Sequence, residues 1–214
     1  MNLDILHTDD IRVEYCDGTR RDIQRVLDAC REERRPYLVI KNNGSAQQCC
    51  SSEVQEFRSS GAASCCSGVQ GGKSLKLTRI LVPVSMLEEE VYKAEICTYL
   101  ARKTGAHLIL LRARDYGSKA EQNMQRIITH IQTVAERTGE KISYEEQVAK
   151  RDSFAFHKDF HSDEWAHDLL LLTASREYGL DDWLFGPPEL YAIRHSHVPV
   201  LLVNPRADLF SLCD

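Results

Sequence analysis

Apolar and polar residues along this chain alternate in two rhythms, one of period two and one helical, and from residue 76 onward they predict an ordered series of elements. Leu77 to Val84 is a β-branched apolar run, and Leu87, Val91, Ala94, Thr98 and Ala101 then recur at helical spacing up to Gly105, a C-terminal stop. His107 to Leu111 is a second strand. Met124, Ile127, Ile128, Ile131 and Ala135 share one face of a long helix that Gly139 closes. Ile142 to Val148 reads as a strand although it carries Glu145, Glu146 and Gln147. Phe156, Phe160 and Trp165 suggest a further helix, and Asp168 to Thr173 is a nearly continuous apolar strand of the kind covered on both faces in a parallel sheet. Glu189 to His195 gives a last short helix and Val198 to Val203 a last strand. Strands alternating with helices imply right-handed crossovers and a parallel sheet.

The pattern upstream is different. Ile11, Val13 and Tyr15 alternate as a strand, Asp17-Gly18 marks a turn, and Thr19 can cap a helix with Ile23, Val26, Leu27 and Cys30 on one face. Tyr37 to Ile40 follows as a second strand, ended by Asn42-Asn43-Gly44. Residues 1–43 therefore read as a β-α-β appendage that is too small to be stable alone and must pack on the larger domain or on a second subunit. Its element order is faintly that of a truncated second copy of the same fold. Residues 44–75, dominated by Ser, Gly, Ala, Gln and Cys, are expected to be a linker, because Val54, Phe57 and Val69 offer too little apolar surface to offset the entropy of ordering. The main domain spans 76–205, with a tail at 206–214.

Composition narrows the classes. The 214 residues are 43% hydrophobic and 28% charged, as in an ordinary globular protein, and the net charge of -5 leaves no basic field for a nucleic-acid backbone. No segment approaches the roughly 20 apolar residues that span a bilayer. Met1 to Asp10 lacks a basic stretch followed by an apolar one, so a cytoplasmic location with mostly reduced thiols is expected for the eight cysteines.

The series from residue 76 resembles the universal stress protein family. Thr78-Arg79-Ile80-Leu81-Val82-Pro83-Val84 is similar to that family's opening strand, and His195-Ser196-His197-Val198-Pro199-Val200-Leu201-Leu202-Val203 to its closing helix-to-strand junction. Leu170-Leu171-Leu172-Thr173 stands where the fourth strand leads into the nucleotide loop, and Gly179 and Gly186 keep two glycines at the family's spacing. The resemblance implies a doubly wound, five-stranded parallel α/β sheet of the adenine nucleotide alpha hydrolase-like type, a role in stress responses, and a homodimer joined through the last-strand edge Val198–Val203. It also implies a place for ATP. Nucleotide-binding members carry Gly-x2-Gly-x9-Gly-Ser/Thr after the fourth strand, where bare backbone N–H groups cradle phosphate. Here Thr173 and Arg176 stand for the first two glycines, and Pro187, with neither N–H nor hydroxyl, follows Gly186. Ser85 replaces the acidic residue usual at the end of the first strand. ATP in the family mode is therefore disfavoured, and no cofactor is expected.

Ligands of open parallel sheets bind at the C-terminal strand ends, near the switch in strand order. The residues expected there are Ser85, Arg112, Arg114, Thr173, Ser175, Arg176, Gly179 and Gly186, a set that could hold a carboxylate, phosphate or nucleotide. The competing reading makes the arginines solvated strand-end residues. Enzyme chemistry finds little footing. Ser85-Met86-Leu87-Glu88-Glu89-Glu90 has no glycine and three acids that would repel phosphate, and no Gly-x-Ser-x-Gly elbow is present. His157 and His161, with Asp163 and His167 nearby, have metal-like spacing, but Phe156 and Phe160 set the buried face and leave both histidines on its flank.

An imperfect repeat completes the inventory. Cys49-Cys50-Ser51-Ser52-Glu53-Val54-Gln55 is echoed by Cys65-Cys66-Ser67-Gly68-Val69-Gln70. Two vicinal thiol pairs suit a soft metal or exchangeable disulfides, whereas plain cysteines in a flexible linker are the alternative. Cys97, beside the apolar stripe of the main domain's first helix, is expected to be shielded. Three functions remain: a non-catalytic, dimeric stress-response or signalling module that does not hold ATP in the family mode; a divergent nucleotide-binding regulator or ATPase; and a thiol-based redox or soft-metal sensor.

Overall fold

The computed structural model describes residues 12–16, 37–42, 64–69, 77–114, 119–153, 155–160, 163–174 and 188–204. Three strands come first, β1 (Arg12–Cys16), β2 (Tyr37–Asn42) and β3 (Ser64–Val69). The larger unit follows: β4 (Arg79–Val84), α1 (Lys93–Thr104), β5 (His107–Arg112), α2 (Lys119–Thr138), β6 (Tyr144–Val148), β7 (Leu169–Thr173), α3 (Pro188–His195) and β8 (Val200–Val203). All lie in one sheet of order β1-β2-β3-β8-β7-β4-β5-β6. Within it, β8-β7-β4-β5-β6 form the five-stranded, all-parallel α/β unit anticipated from the apolar runs.

Side-chain alternation divides the core into two layers. Ile80, Val82, Val84, Leu108, Leu110, Leu169 and Leu171 pack against α1 and α2 through Ala94, Cys97, Leu100, Met124, Ile127 and Ile131. Leu81, Ile109, Leu111, Leu170 and Leu172 face the other way, onto Phe156, Phe160, Trp165, Ala192 and Ile193. A strand buried on both faces cannot alternate polar with apolar, which is why β4, β5, β7 and β8 read as continuous apolar runs. β6 lies at the sheet's end and keeps its polar residues half-exposed or exposed. Gly105 ends α1 in the left-handed region at φ 71°, donating its N–H to Ala101 O at 2.8 Å.

Two local expectations are revised. The segment from Phe156 to Trp165 forms two short 3₁₀ turns, Phe156–Lys158 and Asp163–Trp165, in place of a helix. Asp159, buried, accepts the Arg151 backbone N–H at 3.0 Å and pairs with its guanidinium, which folds the chain back on itself. Phe156 and Phe160 still meet edge to face at 4.9 Å, so the aromatic cluster forms without helical continuity. The second revision concerns 44–75, where Ser64–Val69 forms β3, parallel to β2 and antiparallel to β8. Its composition is a linker's, but the row of backbone donors and acceptors on the β8 edge gives its backbone hydrogen-bond partners.

At the N-terminal end of the sheet, Asp168 ties β7 to β4. Its carboxylate accepts the N–H of Thr78 at 2.7 Å, the N–H of Arg79 at 3.0 Å and the Thr78 hydroxyl, while its own N–H donates to Arg79 O at 2.9 Å. Burial alone would raise its pKa, but these hydrogen bonds, helped by neighbouring His167, hold the carboxyl below its ordinary value.

Candidate functional site

β4 and β7 are the strands between which the order reverses, so the crevice at their C-terminal ends is where the fold offers a ligand site. The sequence opens it at a definite residue. Pro83 has no N–H to give to a neighbouring strand, and the β4–β7 ladder, registered at Ile80↔Leu169 and Leu81↔Leu170, does not extend to it. The carbonyl of Pro83 is taken instead by the Nζ of Lys93, from the first turn of α1. That ammonium is 1% exposed and pairs with the carboxylate of Glu90, itself 6% exposed.

Two hydroxyls from different elements reach the same carboxylate. Ser85, the residue after β4, donates its hydroxyl to Glu90 Oε1 at 2.6 Å, and its oxygen accepts the Leu87 N–H at 3.3 Å. Thr173, last in β7, donates its hydroxyl to Glu90 Oε2 at 3.3 Å. Asn123 of α2 donates to the carbonyls of Ser85, at 3.0 Å, and Leu87, at 2.7 Å, which pins the β4–α1 connection. Glu88–Tyr92 is tightened into a 3₁₀ turn that carries Glu90 inward. Charge opposite charge, with hydroxyls on the remaining lone pairs, is the arrangement that makes burying a carboxylate and an ammonium tolerable.

Of the residues expected at this site, Ser85 and Thr173 are brought together on one carboxylate. Arg112 is half-buried at the end of β5, and Arg114, two residues on, is exposed. Their backbones serve the neighbouring loop, with Ala149 N–H donating to Arg112 O and Arg114 N–H to Arg151 O, both at 2.8 Å. Ser175, Arg176, Gly179 and Gly186 lie outside the described residues, as do Cys49 and Cys50, while Cys65 and Cys66 fall in β3. Glu90 and Lys93, the centre of the network, were not anticipated as a pair. In sequence, Glu90 is one of three acids that would repel phosphate. The legible signal was a Glu and a Lys three residues apart directly after a proline-bearing strand.

The histidines make no metal site among the described residues. His157 lies with its ring 5.0 Å from Tyr191, which stacks on His195 at 4.0 Å, and His161 is outside the described residues. Cys97 is fully buried against the α1–sheet interface, and burial pushes its thiol up to about 12. No described helix is long and apolar enough to cross a membrane.

With this geometry in place, comparison with known proteins is informative at the level of family and fold. A model of the universal stress protein family matches residues 76–204. A universal stress protein from Archaeoglobus fulgidus DSM 4304 superposes with a TM-score of 0.60 at 16% identity, over 87% of this chain and 66% of that one. A functionally unknown protein from Pseudomonas aeruginosa PAO1 gives 0.54 at 14% identity, over 89% and 70%. A universal stress protein in complex with cAMP gives 0.47 at 16% identity, over 61% and 99%. No curated protein matches the chain.

Proposed function

The chain belongs to the universal stress protein family, and from that membership we propose that it is a non-catalytic, cytoplasmic stress-response or signalling module that does not hold ATP in the family's manner. One observation carries the reading. At the C-terminal ends of β4 and β7 the buried Lys93 ammonium and Glu90 carboxylate are already bound to each other, to the Pro83 carbonyl and to the Ser85 and Thr173 hydroxyls. An incoming phosphate would meet a carboxylate whose balancing cation is already committed and out of reach of solvent. The loop sequence argues in the same direction, because Thr173, Arg176 and Pro187 stand where glycines and a hydroxyl would present bare N–H donors. A module of this kind conveys its signal through the surfaces it shows to other proteins, with the buried pair acting as a permanent internal occupant.

Calorimetric titration of the full chain with ATP and magnesium is expected to give no saturable heat up to about 1 mM, a standard free energy weaker than about -4 kcal/mol. A micromolar dissociation constant that disappears in Arg176→Ala would overturn the proposal and favour a nucleotide-binding regulator.

A further inference from the structure

The last strand has two sides, and both are taken. On one, β8 is parallel to β7, with Leu170↔Val200 through Thr173↔Val203 in register. On the other it is antiparallel to β3, through Ser64↔Val203, Cys65↔Leu202, Cys66↔Leu201 and Ser67↔Val200. This is the single antiparallel ladder among the described strands. Outward from it, β3-β2-β1 run parallel to one another on one side and β8-β7-β4 on the other. On each side the strand latest in sequence stands at the centre. An antiparallel junction between two such units is what a local two-fold axis produces, passing between the pairs Cys65↔Leu202 and Cys66↔Leu201.

We propose that β1, β2 and β3 belong to an incomplete second unit of the same sheet, which supplies β3 as an in-chain substitute for a partner subunit's edge strand. Coverage of the two better-matching solved structures supports this. They align over 87% and 89% of the chain, whereas the family match covers 129 of its 214 residues, so the likeness of fold runs on into the N-terminal strands. The physical reason for the cap is the edge itself. Val200–Val203 is apolar and buried throughout, and with its outer N–H and C=O groups bare it would be a template for pairing with another chain. The homodimer expected through Val198–Val203 needs this same row of hydrogen-bonding groups, and β3 already uses it.

Site-directed crosslinking of the full chain tests the proposal. Directly opposed residues of an antiparallel ladder have Cα atoms about 4.5–5.5 Å apart, within disulfide range. Leu201→Cys sets a thiol opposite the native Cys66, and Leu202→Cys sets one opposite Cys65. Under a mild oxidant at low micromolar concentration, peptide mapping is expected to find 66–201 in the first variant and 65–202 in the second, both within single chains. Because each variant alters a core leucine, Ser64→Cys with Val203→Cys provides a third reading in a different packing environment. Links between position 201 of two copies, or between position 66 of one copy and 201 of another, would show that copies pair at this edge and would overturn the proposal. Failure to form any of the three intrachain links in folded protein would overturn it equally.

Discussion

Replacing Lys93 by Met removes the ammonium while keeping a flexible side chain of similar length. Glu90 then stays buried with only the Ser85 and Thr173 hydroxyls for company, and the Pro83 carbonyl loses its donor. Both members of the pair are shielded, Lys93 at 1% and Glu90 at 8% side-chain exposure, so solvent cannot replace the missing charge. Breaking such a pair from one side costs about 3–5 kcal/mol. A whole domain is stable by only about 5–15 kcal/mol, and a domain of this size loses about 2–4 °C of Tm per kcal/mol. Urea and thermal unfolding followed by circular dichroism should therefore show Lys93→Met melting about 6–20 °C below wild type. The double variant E90Q/K93M should recover much of the loss, because the Gln oxygen can accept one hydroxyl while its amide N–H donates to the oxygen of the other, and no orphaned charge remains. A coupling of about 1–3 kcal/mol is the expected reading of the cycle. If Lys93→Met unfolds within about 0.5 kcal/mol of wild type, as a surface substitution would, or if the two changes simply add, the crevice is not sealed by this pair and the account of the site collapses.

Two further outcomes follow from the same structure. Asp168→Ala should cost about 1–3 kcal/mol at neutral pH through its lost charge-assisted hydrogen bonds. Because the folded carboxyl titrates below its ordinary value, its contribution is complete above the unfolded pKa of about 3.9 and is lost as pH falls through the folded one. The stability gap between wild type and variant should narrow as the pH falls below the unfolded value and through the lower folded one, and a gap that stays constant throughout acid titration would contradict this. Cys97, with its thiol pushed up to about 12 by burial, should resist iodoacetamide at pH 8 and become labelled only as the domain opens, so Lys93→Met should accelerate its modification. Rapid labelling in the native wild-type protein, followed by mass spectrometry, would refute the packing assigned to α1.

The sequence by itself determined four of the five parallel strands and the two long helices, because a strand covered on both faces must be apolar throughout and a helix laid on it must be apolar at every third or fourth position; β6, at the sheet's end, followed from its place in the alternating series. Leu169–Thr173 and Val200–Val203 could hardly be anything else. The same logic placed Cys97 in the core and put Ser85 and Thr173 at adjoining strand ends. Only the tertiary structure decided the rest. Ser-Cys-Cys-Ser-Gly-Val has no strand pattern of its own, and it is β3 because the β8 edge offers it hydrogen-bond partners more than a hundred residues away. Phe156, Phe160 and Trp165 have a helix's spacing, but Asp159 turning back onto Arg151 satisfies the backbone differently. In sequence Glu90 is one of three acids that would repel phosphate; in the fold α1 brings Lys93 to it, and both are buried beside the Pro83 carbonyl. Local pattern records which side chains must leave water; it does not record which distant group will meet them, and both the seal on the crevice and the cap on the edge depend on that meeting.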